Sequence, residues 1–182
     1  MGFGPPLSGG HVILRRPVAT DREVRQAIGR HEEIQRMYGV AVPRTGAMTE
    51  PEAEQWMQSL GADGSIDWVI EADSRLAGTA RLHSFDAQTS AKYAIGLLEP
   101  SRLGRGIGTE ATTLIVGYAF DELGLEHIHL DVLEFNVRAI RCYTKVGFRV
   151  VGRKPSDVVI DGDAIDDIVM AITDEDFRRR RV

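Results

Sequence analysis

The sequence predicts an α/β domain with a mixed, mostly antiparallel central sheet of about seven strands, flanked by helices. Three observations carry this. Short polar links separate three strand-like segments between residues 65 and 98, the pattern of an antiparallel meander. A strand–helix–strand–helix–strand order then ends the chain, which places helices on the sheet faces. The 182 residues are 43% hydrophobic and 27% charged, a globular balance for one domain.

Residues 1–10 (MGFGPPLSGG) read as a flexible lead. Residues 11–18 form the first strand. Thr20 and Asp21 cap a helix that runs through DREVRQAIGRHEEIQRM, with Val24, Ala27 and Ile28 at helical spacing. Residues 38–50 are loop-like. Thr49 with Glu52 three residues on forms a capping box, and Pro51 suits a first helical turn, so a second helix reaches about Leu60. Residues 65–72 alternate Ile66, Trp68 and Ile70 on one face. A turn at Asp73 and Ser74 leads to a strand over 75–85, and a third strand covers 89–98. A helix over 109–123 buries Ala111, Leu114, Ile115, Tyr118, Ala119 and Leu123, with Gly124 just past its end. Strand 126–135, helix 137–146 (stopped by Gly147), strand 148–151 and strand 164–172 complete the domain, which spans 11–173. Residues 174–182, including RRRRV, read as a solvated charged tail.

The net charge of −5 argues against nucleic acid as a partner. A single cysteine, Cys142, excludes an internal disulfide framework. No run of about 18 apolar residues and no leader pattern occurs, so a soluble, cytoplasmic protein without a membrane partner is expected.

The most informative segment is Leu103-Gly104-Arg105-Gly106-Ile107-Gly108-Thr109. A strand runs into three glycines at alternate positions, and a helix starts directly after them. Glycine permits positive φ and close backbone approach. The first amides of a helix lack internal partners and carry the positive end of its dipole, so together these features form an anion site for a phosphate or diphosphate. A tight turn that only packs helix on sheet is the alternative. The Gly-Lys-Ser/Thr phosphate loop is absent, and the dinucleotide fingerprint fails at Thr109.

The segment resembles the acyl-CoA motif of the GCN5-related N-acetyltransferase (GNAT) superfamily, Gln/Arg-x-x-Gly-x-Gly/Ala, with Leu103 in place of the polar first residue. A second segment about 30 residues downstream strengthens the likeness. There Asn136, Ala139, Ile140, Tyr143, Gly147 and Phe148 match the family's N-x-x-A-I-x-x-Y-x-x-x-G-F pattern. The likeness spans roughly residues 10–173 and is most similar to the branch that acetylates ribosomal protein N-termini, aminoglycosides or polyamines.

The resemblance implies acetyl-CoA as co-substrate, a primary amine as acceptor, direct attack without a covalent enzyme intermediate, and a homodimer as an option. It implies cofactor contacts at Leu97, Leu98, Leu103, Gly104, Arg105, Gly106, Ile107, Gly108, Thr109 and Asn136, with Arg102 and Arg105 supplying charge that Leu103 cannot. The third meander strand would splay from the strand after the glycine helix to admit the pantetheine. An acyl-CoA-binding sensor without turnover, or a generic phosphate-binding domain, are the rival readings.

An alkylammonium with pKa near 10.4 is neutral in about one molecule in 2,500 at pH 7, a penalty of roughly 4–5 kcal/mol, so the site needs a proton acceptor. Asp131 is the first candidate base: it lies five residues before Asn136, where the resemblance implies a catalytic glutamate in some family members, and it shares a strand face with His127 and His129. A solvent-facing strand edge is its plainer reading, and His83, Asp86 and Glu99 are weaker candidates. Tyr143 matches the family's proton-donating tyrosine and is the candidate general acid; it also reads as an ordinary helix aromatic. Asn136 suits both an N-cap and a pantetheine contact. Cys142 reads as a packed thiol, and His127 with His129 is too sparse for a metal site. Asp166 and Asp167 read equally as acceptor-binding or as plain sheet residues. Glu32, Glu33 and Asp86 could draw a cationic amine toward the side lined by residues 30–50 and 84–90.

Overall fold

A computed structural model describes residues 2–62, 64–86 and 89–181. Among them nine strands form one sheet: β1 (Gly2–Phe3), β2 (Leu7–Ser8), β3 (Val12–Arg15), β4 (Ile66–Ala72), β5 (Arg75–Asp86), β6 (Ser90–Leu97), β7 (His127–Leu133), β8 (Arg149–Ile160) and β9 (Asp163–Thr173). Their order is β2-β3-β4-β5-β6-β7-β9-β8, with β1 beside β4. Only β1–β4 and β6–β7 are parallel. The helices are α1 (Thr20–Ile28), α2 (Glu32–Met37), α3 (Glu50–Gln58), α4 (Ile107–Asp121), α5 (Val137–Val146) and α6 (Asp174–Arg181).

Strand alternation divides the core into two layers. Trp68, Ile70, Leu82, Tyr93, Ile128, Leu130, Met170 and Ile172 point to the face covered by α4, α5 and α6. Val69, Leu76 and Leu98 pack on the other face against Ile28, Trp56 and Met57 of α1 and α3. The meander and the βαβ order match expectation, and the Thr49–Glu52 capping box starts α3.

Four expectations are corrected. The lead is not flexible: residues 2–3 and 7–8 pair into the sheet, Gly4 N donates to Asp67 O at 3.2 Å, and the buried Trp68 donates Nε1–H to Pro5 O at 2.9 Å. These two short strands raise the count from seven to nine. The long first helix breaks at Gly29 (φ 68°), where Arg30 turns to pair its backbone with Gly46. The short strand at 148–151 is instead a twelve-residue edge strand whose hairpin with β9 turns at Asp161 and Gly162. The charged tail is a docked helix. Phe177 is buried against Phe120, Arg181 stacks on Phe177 and pairs with Asp121, and Arg180 donates to the last carbonyls of α5 at Thr144 and Lys145. Val182 lies outside the described residues. No helix of the described chain is long and apolar enough to cross a membrane.

Candidate active site

Parallel pairing between β6 and β7 begins at Ser90 and His127 and stops at Lys92 and His129. Beyond that point the strands diverge, as the resemblance implied. Tyr93, Ala94, Ile95, Gly96 and Leu97 form one wall of the gap, and Asp131, Val132 and Leu133 form the other. The gap widens into a cavity of about 500 Å³, roofed by Ile34, Met37 and Tyr38 of the α2 segment and closed on the far side by Ser156, Asp157, Val158 and Asp167. A second cavity of about 470 Å³ shares Ile95, Leu97, Leu103 and Arg138 with it and reaches the glycine turn. The two form one continuous cleft.

The turn is built as its sequence predicted. Gly104 and Gly106 have φ of 73° and 84°, values that glycine adopts without the strain other residues would carry, and a Cβ added at either would meet no protein atom within 4 Å. Gly106 caps α4, and the first helical donation is Glu110 N to Gly106 O at 3.0 Å. The six amides from Gly104 to Thr109 have no hydrogen-bond partner among the described residues. Unpartnered amides at the positive end of a fifteen-residue helix make a cradle that fits a diphosphate.

The supporting charge comes from more residues than expected, and two of them are tied to a carboxylate. Arg102 is buried and donates to Asp73 at 2.9 Å, with Glu99 also close, and Arg105 leans on the same Asp73. Both guanidinium groups tie the turn to the β4–β5 hairpin. Arg102 still lines the cradle, and Arg138, Arg141 and Lys145 of α5 line it as well. Leu98 stands apart from the other expected contacts. It packs in the second core layer, and its amide donates to Ala77 O at 3.0 Å. Leu97, Leu103, Gly104, Gly106, Ile107, Gly108 and Thr109 all line the cleft, while Arg105 lies outside its lining. Asn136 caps α5 by accepting from Ala139 N at 3.1 Å and also borders the cavity.

Tyr143 lies in the cavity wall, edge-on to Tyr93 and tilted against Phe148. Burial, with smaller contributions from Cys142 and Tyr38, pushes its phenol well above the usual range. It therefore holds its proton at any physiological pH. Tyr93, more deeply buried, bonds its hydroxyl to Thr112 Oγ1 at 3.0 Å and serves packing. Cys142 sits beside the cradle near Thr109 Oγ1, its thiol pushed up by burial, as a packed thiol should be.

Asp131 keeps its predicted face but not a free carboxylate. It accepts from Lys154 Nζ at 2.7 Å and from Lys92 Nζ at 3.0 Å. Burial would raise its pKa, but the two lysine hydrogen bonds outweigh that and hold it below the usual range. Among the weaker candidates, His83 lines a separate hollow with Arg81, Glu99 approaches Arg102, and Asp86 ends β5; none borders the cleft. Glu33 pairs with Arg138 at 2.9 Å and Glu32 with Arg36, so the acidic face of α2 is largely neutralised. Of the 84–90 segment, residues 87 and 88 lie outside the described residues.

Three cleft residues, Tyr38, Ser156 and Asp157, carry no local signal of their place. Tyr38 closes α2 with much of its ring exposed, while its hydroxyl end reaches β6 so closely that a Cβ on Gly96 would collide with it. The isolated Tyr-Gly-Val triplet reads as loop, and only the fold brings it over Gly96. Ser156 and Asp157 belong to the part of β8 that shows no strand pattern in the sequence.

A strand pair that splits beside an unpartnered amide cradle, with a buried tyrosine at the split, defines an acyl-CoA-dependent acetyltransferase fold. A family profile described as "Acetyltransferase (GNAT) domain" matches residues 11–149, and the chain belongs to that family. Members of the family use acetyl-CoA as co-substrate. The chain is 32% identical over 106 residues to the spermidine N(1)-acetyltransferase of Escherichia coli (strain K12), covering 58% of this chain and 56% of that one. It is 32% identical over 137 residues to the aminoglycoside N(6')-acetyltransferase type 1 of Klebsiella pneumoniae, covering 74% and 58%. The chain thus spans less than two thirds of these curated relatives. The fold superposes on the spermidine N-acetyltransferase of Vibrio cholerae, solved with CoA and spermine, with TM-score 0.74, 20% identity, and coverage of 94% of this chain and 99% of that one.

Proposed function

We propose that this protein transfers the acetyl group of acetyl-CoA to a primary amine on a cationic small molecule, a polyamine or an aminoglycoside in chemical kind. The observation that carries the reading is the continuous cleft from the amide cradle to Tyr143. The diphosphate rests on the amides of residues 104–109, flanked by Arg141 and Lys145. The pantetheine lies between the diverging β6 and β7, where Asn136 and the main chain of Ile95–Leu97 can hold it. The thioester then reaches Tyr143.

Asp131, Asp157 and Asp167 border the acceptor end with Arg138, and of the three carboxylates Asp131 is already held by Lys92 and Lys154. Asp157 and Asp167 are left to meet ammonium groups, which suits a substrate with more than one amine and agrees with the named activities of the relatives. The neutral amine attacks the thioester carbonyl, the C–N bond forms, and the C–S bond breaks. The departing thiolate takes the Tyr143 proton, and the nitrogen's second proton restores Tyr143. A second copy of the chain is also part of this reading, supported by the free β8 edge with Val150, Val151 and Val159 exposed.

The test is thiol release from acetyl-CoA across a panel of spermidine, spermine, an aminoglycoside and an N-terminal peptide. Release with the polycations above the peptide supports the reading. Acetyl-CoA binding without acceptor-dependent release would instead establish a sensor.

A further inference from the structure

Three carboxylates line the reaction end of the cleft beside Tyr143, and their partners differ. Asp131 is held by Lys92 and Lys154. Asp157 stands on an exposed position of the edge strand. Tyr143 is a proton donor. Asp167 borders the same cavity and has no hydrogen bond or ion pair to its carboxylate among the described residues.

Its isolation follows from register. Asp167 lies opposite Lys154 of β8 and Leu133 of β7. Lys154 would be its natural cross-strand partner, but its ammonium reaches across to Asp131 instead. The neighbouring Asp166 is engaged by Arg153, which also pairs with Glu134. The strand therefore presents one neutralised carboxylate outward and one free carboxylate into the cleft.

Resting on the acetyltransferase reading above, we propose that Asp167 is the proton acceptor for the incoming ammonium, and that Asp131 is a positioning residue that keeps Lys154 and Lys92 away from it. The ammonium N–H proton passes to an Asp167 carboxylate oxygen, leaving the nitrogen lone pair free to attack. When the product leaves, that proton is released to solvent, and the net reaction yields amide, CoA thiol and one proton. Two carboxylates in one site with divergent environments form a recurring pattern of acid–base assignment.

The titration of Asp167 fits. Burial raises its carboxyl pKa, and Asp131 and Asp166 raise it further, while Lys154 and Lys92 lower it. A carboxylate raised above its usual range accepts an ammonium proton more readily than Asp131, whose two lysines hold it low.

The experiment is the pH profile of kcat/KM for the best acceptor of the panel, with acetyl-CoA affinity measured calorimetrically on each variant. Asp167→Asn is expected to lower kcat/KM about 100-fold at pH 7 and flatten the acid limb, with acetyl-CoA affinity within about twofold of wild type. Asp167→Glu should restore the limb, a rescue that a purely structural role would not produce. Asp131→Asn should shift the limb to lower pH, because it removes a negative neighbour and frees Lys154 for Asp167. If Asp167→Asn keeps the limb and Asp131→Asn abolishes it, Asp131 is the base and the proposal is overturned while the acetyltransferase stands. A wild type that binds acetyl-CoA yet releases no thiol with any amine overturns both.

Discussion

Tyr143 stands edge-on to Tyr93, with ring centroids 6.4 Å apart and planes at 85°. The pairing fixes the Tyr143 ring at the point where β6 and β7 separate, while the hydroxyl of Tyr93 is engaged by Thr112. One tyrosine anchors and the other serves the cleft. Tyr143→Phe keeps the ring contacts and removes only the hydroxyl, so kcat should fall about 100-fold with acetyl-CoA affinity nearly intact. Steady-state kinetics beside a calorimetric titration checks this. An unchanged kcat would leave Tyr143 as a packing residue.

Gly106→Trp should abolish acetyl-CoA binding. The φ of 84° is unfavourable for any side chain, and an indole would fill the cradle from which the amides of residues 104–109 point. Loss of the calorimetric signal with a native circular dichroism spectrum is the expected result.

Phe177→Ala should destabilise the fold by about 3–5 kcal/mol, the usual range for a buried phenylalanine. Phe177 is 3% exposed and wedges between Phe120 and Arg181, holding α6 where Arg180 meets the end of α5. Urea unfolding measures it. Stability equal to wild type would return residues 174–181 to the status of a loose tail.

Glu52 makes stability depend on acid pH. The Arg30 ion pair, the Thr49 amide and the Thr49 hydroxyl lower its pKa from 4.5 to about 2. A carboxylate lowered in the folded state stabilises fully above its unfolded pKa, and that contribution is lost as pH falls from about 4.5 toward about 2. Glu52→Gln should therefore be less stable than wild type at pH 7, with the difference shrinking across that window. Thermal unfolding at stepped pH reads the difference.

Local signals made the fold legible where they were dense. The glycine turn, the Asn136–Phe148 segment and the Thr49–Glu52 box each specify backbone geometry through their own residue types, and each appears as read. What failed depended on distant partners. Residues 2–8 carry no strand pattern, and their order comes from Trp68 and the free side of β4. The tail carries four arginines in a row, and nothing local shows that Phe177 has a pocket waiting beside Phe120 of α4. Charge depends on distant partners in the same way. Arg102 and Asp131 stand at the expected positions, but Asp73, Lys92 and Lys154, 23 to 39 residues away in the chain, decide what their charges do.

The crystal structure of the protein with acetyl-CoA is the most direct measurement of the central claim. Diphosphate oxygens are expected within hydrogen-bond distance of the amides of residues 104–109, with the thioester carbon between Leu97 and Tyr143. A diphosphate held elsewhere, or a thioester pointing out of the gap between β6 and β7, would contradict it.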